Sequence, residues 1–86
     1  IMPEISRFYG ITITMNYREH NPPHFHAIYQ DYEISVDIQT GLVNGQMSKR
    51  ALKMIFEWLD LHKEELLQDW NLAQDRKALL KIEPLP

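Results

Sequence analysis

The sequence predicts an α+β domain: a three- or four-stranded antiparallel meander sheet, then one long kinked helix or two C-terminal helices packed on one face. Three observations lead there. Apolar residues alternate with period two through the first half of the chain. Gly, Pro, Asn and Asp interrupt that alternation at intervals. After Ser48 the apolar spacing changes to the 3.6-residue period of a helix. With 86 residues, 44% hydrophobic and 24% charged, the chain suits a small globular unit, read as a single domain over 2–86 with Met2-Pro3 as its natural start.

The first strand is expected over about 7–17. Tyr9, Ile11, Ile13, Met15 and Tyr17 point one way, and Thr12, Thr14 and Asn16 the other. His20 to Pro23 ends it, because two prolines withhold ladder donors and hold Asn21 and Pro22 extended. A second strand follows over about 24–29 and a third over 32–38, joined at Gln30-Asp31. A turn centred there pairs Tyr29 with Tyr32, Ala27 with Ile34 and Phe25 with Val36. The other face then receives Ile28 with Glu33, His26 with Ser35 and His24 with Asp37, looking away from the helical layer. A one-residue slip would scramble this sorting of apolar from polar, so the register is well specified. Thr40-Gly41 turns the chain into a short fourth strand over about 42–46.

Ser48 is the expected N-cap. Leu52, Ile55, Phe56, Leu59, Leu66 and Trp70 form one apolar stripe, and Met54, Trp58 and Leu61 a second. Both lose phase near His62-Lys63, which places the kink or break there and gives helices of about 48–60 and 63–75. A helix apolar on two sides needs two covers. The sheet supplies one, and the second helix, the tail of 78–86 or a second copy of the chain supplies the other.

Composition excludes several classes. Without cysteine there is no disulfide framework and no thiolate metal site. No run is long enough to span a membrane and no signal peptide is visible, so a cytoplasmic location is expected. The net charge of −3 argues against a general nucleic-acid coat. Residues 1–47 hold five carboxylates against Arg7 and Arg18 alone, so the strand half is acidic.

His20-Asn21-Pro22-Pro23-His24-Phe25-His26 carries three of the four histidines. On a strand, His24 and His26 share a face with Cβ atoms about 7 Å apart. With Asp37 across from His24 and His20 beyond the prolines, the set His20, His24, His26 and Asp37 is competent for zinc or a similar divalent ion. The same pair could act as general acid and base in RNA cleavage, with Arg18 holding a phosphate. The structural alternative is that these rings cap a strand end and hydrogen-bond Asp37 and Ser35. Lys49, Arg50 and Lys53 oppose the helix dipole, either neutralised by Glu33 and Asp37 or offering a seat to phosphate or an acidic partner. Trp58 is either buried under the second helix or tail or an interaction hot spot. A binding surface drawn from these residues comprises His20, His24, His26, Asp37, Lys49, Arg50 and Trp58.

Three stretches carry a resemblance: Met2-Pro3-Glu4-Ile5-Ser6-Arg7-Phe8-Tyr9-Gly10-Ile11, the histidine-proline segment through Ala27, and the helical pieces Arg50-Ala51-Leu52, Glu57-Trp58-Leu59 and Glu65-Leu66-Leu67-Gln68-Asp69-Trp70. With the ending Lys81-Ile82-Glu83-Pro84-Leu85, the chain resembles the domain of unknown function family 4160 over essentially its whole length. That family has no established chemistry, so no catalytic residues carry over. Its members are similar to components of toxin–antitoxin-like gene pairs. The resemblance therefore implies a bacterial cytoplasmic protein that binds a cognate small protein encoded by a neighbouring gene, with a homodimer as a further arrangement. The alternative is a small histidine-dependent ribonuclease-like or metal-binding hydrolase. RNA or DNA as partner has weak support, and no cofactor is expected unless a divalent metal such as zinc is bound.

Overall fold

The computed structural model describes residues 3–86, so the expected start at Met2 lies outside the described residues. The chain is α+β. Strands β1 (Glu4–Phe8), β2 (Ile11–Thr14), β3 (His24–Tyr29), β4 (Tyr32–Asp37) and β5 (Val43–Gly45) form one antiparallel sheet in the order β1-β2-β3-β4-β5. Helix α1 (Lys49–Gln74) follows.

Five strands replace the three or four expected, because the single strand read over 7–17 is a hairpin. Tyr9 and Gly10 have φ of 51° and 82°, and Phe8 pairs directly with Ile11 across them. Two consecutive left-handed residues make the two-residue turn that matches strand twist, and Gly10 supplies one without strain. The turn also moves Tyr9, which is 61% exposed, and gives its inward place to Phe8. Between Glu4 and Ser6 a bulge shifts the register, and Ile5 and Ser6 are both buried.

The β3–β4 pairing is the one the polar and apolar sorting predicts, with His24 opposite Asp37, Phe25 opposite Val36 and Tyr29 opposite Tyr32. Phe25, Ala27, Ile34 and Val36 are buried, joining Ile11 and Ile13. The fourth predicted strand is shorter than 42–46 and is β5.

Ser48 caps α1, its Oγ accepting from Ala51 N at 3.1 Å. Where two helices were one alternative, the chain forms one of 26 residues, within which His62 departs from helical dihedrals (φ −126°, ψ 24°). Ile55, Leu66 and Ala73 are fully buried. Trp58 is the hub. Its ring centroid lies 5.4 Å from that of Phe8 and 5.6 Å from that of Phe25, and its Nε1 donates to Glu83 O at 2.9 Å. With 0% exposure it is removed from the predicted binding surface, since Phe8 and Phe25 of the sheet pack on the ring and the tail accepts its N–H. The second stripe is covered only in part: Met54 is half-buried and Leu61 is 61% exposed, an extended tail being narrower than a helix.

That tail is pinned at several points. Leu80 N donates to Asp69 Oδ1 at 2.9 Å, Ile82 N to Ile5 O at 2.8 Å, and Lys81 Nζ to Glu4 O at 2.8 Å. It thereby covers part of the outer edge of β1, where unpaired backbone groups would otherwise invite another strand. Asp69 is buried beneath it. Burial pushes its carboxyl pKa up, the Leu80 N–H partly offsets this, and the neighbouring Glu65 charge adds to the rise. No helix among the described residues is long and apolar enough to cross a membrane.

Candidate functional site

The β3–β4 ladder extends to Pro23, whose carbonyl accepts from Ile38 N at 2.9 Å, and the Asn21–Pro22 peptide is cis. Strand alternation from that point sends Phe25 into the core and His24 and His26 to the opposite face. The two rings meet edge to face with centroids 5.3 Å apart.

What completes the cluster comes from the preceding loop. Gln74 Nε2, in the last turn of α1, donates to Glu19 O at 3.1 Å and ties the loop to the helix. Asn16 Nδ2 contacts Glu19 Oε1 at 3.4 Å. Held this way, Glu19 Oε1 stands 3.2 Å from His24 Nε2 and 3.4 Å from His26 Nε2. One ligand atom from each of the three residues lies within 4.8 Å of the others. The far nitrogens are engaged too: His24 Nδ1 lies 2.8 Å from Pro22 O, and His26 Nδ1 lies 3.5 Å from Glu33 Oε2. Hydrogen bonding to His24 is the largest influence holding the Glu19 pKa below the usual carboxylate range; desolvation opposes it, and His26 and Asn16 add to the lowering.

Asp37 faces His24 across the ladder, yet its Oδ1 is committed to the following turn, accepting from Gln39 N at 2.8 Å and Thr40 N at 2.9 Å. The Thr40 bond is the main reason its pKa is lowered. Asp37 and His20 belong with Glu19 and His24 to the lining of a cleft of about 310 Å³, along with Asn21, Pro22, Ser35, Leu42 and Asn44. Of the predicted metal set, then, His24 and His26 converge, Glu19 joins them, and Asp37 and His20 flank them.

The remaining predicted residues lie apart. Arg18 shares a separate groove with Tyr17 and Arg76. Lys49 and Arg50 are exposed at the start of α1. His24 leaves β3 on the face opposite Phe25, yet that side is not free of the helix as expected: the Trp70 ring, in the last turns of α1, lies 5.2 Å from it. Glu19 escaped the sequence reading because strand pairing says nothing about a loop carboxylate. The one signal was an acid five and seven residues before two histidines, across a proline corner that must reverse the chain.

Fold and cluster together define a small α+β protein with a Glu-His-His group beside an acidic cleft. A family description, "Domain of unknown function (DUF4160)", matches residues 10–71, most of the chain and all three members of the group. The chain belongs to that family. No curated protein and no solved structure matches the chain.

Proposed function

We propose that the protein is a partner-binding component of a toxin–antitoxin-type pair and that it captures its cognate partner, the small protein of a neighbouring gene, by the free edge of β5. The observation that carries this reading is the chemistry of that edge. From Gln39 to Ser48 there is no charged residue, although lysine and other charges are the usual guards of an open edge. Leu42, at its start, is 65% exposed. Asp37 N donates to Leu42 O at 2.9 Å, so by antiparallel alternation the N–H and C=O groups of Val43 and Gly45 point outward. These are the groups a partner strand would use. Glu19, Glu33 and Asp37 lie on the strands and loop beside this edge, so an extended segment bearing Lys or Arg is the complementary partner.

The acid–base ribonuclease alternative has less support. No Lys or Arg among the described residues lines the cleft beside His24, and Arg18 opens into a different groove, so nothing there is ready to hold phosphate charge.

Co-expression with the neighbouring gene tests the proposal. The two products should co-purify, amides 42–46 should gain protection from hydrogen exchange in the complex, and Leu42→Lys should weaken the complex at least about tenfold. That substitution is exposed and should alter the stability of the free protein by no more than about 0.5 kcal/mol. Absence of a complex, or one indifferent to Leu42→Lys with unprotected 42–46 amides, refutes it.

A further inference from the structure

We propose that Glu19, His24 and His26 form a binding site for a divalent transition-metal ion, with zinc the ion whose ligand preferences fit. Pro22 O can only accept, so the 2.8 Å contact makes His24 Nδ1 a donor and leaves Nε2 as the nitrogen that faces Glu19. Glu33 Oε2 lies 3.5 Å from His26 Nδ1, so the second ring also has an oxygen on its outer side. Both Nε2 atoms face the same acceptor, Glu19 Oε1, at 3.2 and 3.4 Å. A divalent ion placed among these three atoms would be held by both Nε2 lone pairs and the carboxylate at once.

The distances suit a metal in that role. Donors bound at about 2.0–2.1 Å to a tetrahedral centre stand about 3.3 Å apart, and the two contacts to Glu19 bracket that edge length. The outer contacts suit it as well. Metal-bound imidazoles ordinarily donate their other N–H to a backbone carbonyl or a carboxylate, which are the two partners present in Pro22 O and Glu33. Two imidazoles and one carboxylate leave a further coordination position, as in sites that retain a water or accept a ligand. His24 and His26 are 19% and 18% exposed and Glu19 34%, so an ion can reach the group while one side of it remains packed on Trp70. Glu19 and Glu33 also supply negative charge beside the β5 edge, but the site uses none of residues 42–46, so Leu42→Lys separates the two proposals.

The experiment uses the untagged full chain, stripped with chelator and titrated with zinc by calorimetry and with Co²⁺ by visible absorption. One zinc ion per chain should bind and raise the thermal midpoint, and Co²⁺ should give the intense ligand-field bands of a four-coordinate site. Glu19→Gln and His26→Ala should each weaken zinc by more than about 100-fold, and the outer partner change Glu33→Gln by about tenfold. Asp37→Asn and Leu42→Lys should bind zinc like the parent. A chain that takes up less than about a tenth of an equivalent and shows no thermal shift overturns the proposal, because the cluster is then held by protons alone. So does binding that survives both Glu19→Gln and His26→Ala in variants with unchanged circular dichroism. Should either variant fail to fold, the Co²⁺ spectrum of the parent still decides, and six-coordinate, weak bands count against the site.

Discussion

Replacing Trp58 with Phe tests whether one side chain joins sheet, helix and tail. The indole is fully buried, rests on Phe8 and Phe25, and donates Nε1–H to Glu83 O at 2.9 Å. Phe keeps a ring against both neighbours but leaves a void where the second indole ring stood, costing about 1–2 kcal/mol when whole aromatic deletions cost about 3–5. Loss of the hydrogen bond adds about 1 kcal/mol, limited because Glu83 is exposed and water can reach its carbonyl. The sum is about 2–3 kcal/mol out of the roughly 4–13 kcal/mol expected for 86 residues. For a domain this size that is a fall of about 10–20 °C in midpoint, read by far-UV circular dichroism on heating. Removing residues 83–86 deletes the same acceptor, so combining the two changes should cost measurably less than the sum of the singles. A fall under about 4 °C for Trp58→Phe, or strict additivity with the truncation, would show that the tail does not depend on this contact.

Gly45→Ala should be more damaging than Gly10→Ala. A Cβ at Gly45 would stand 2.7 Å from Glu33 O at φ 108°, whereas at Gly10 the nearest atom is a Tyr29 ring carbon at 3.4 Å. Alanine at Gly10 should cost about 1–2 kcal/mol of left-handed strain and at Gly45 clearly more; equal urea midpoints would contradict this. Asp69→Asn should relieve the cost of a buried charge at neutral pH, keeping an oxygen for Leu80 N. Because burial raises the folded-state pKa of Asp69, the folded protein binds more protons than the unfolded chain between the ordinary aspartate value and the raised one. The wild type therefore gains stability as pH falls through that window, so the advantage of Asn should shrink there; thermal melts showing a widening gap would contradict the assignment.

The sequence by itself determined the elements whose signals are local. Period-two alternation with polar and apolar sorting was enough to pair His24 with Asp37 and Phe25 with Val36, because a one-residue slip would expose the core. Ser48 and the 3.6-residue stripe marked the start of α1 in the same way. The Tyr9-Gly10 turn was visible as a glycine within the alternation, and reading through it merged β1 with β2. Only tertiary structure decided the fate of Trp58, since periodicity marks an apolar side without naming its cover. It alone also assembled Glu19 with His24 and His26. The histidines are spaced by their strand, but the carboxylate is carried by a loop whose path is fixed from α1, through Gln74 and its bond to Glu19 O. That contact joins residues 55 positions apart in the chain, a separation across which no local pattern reports.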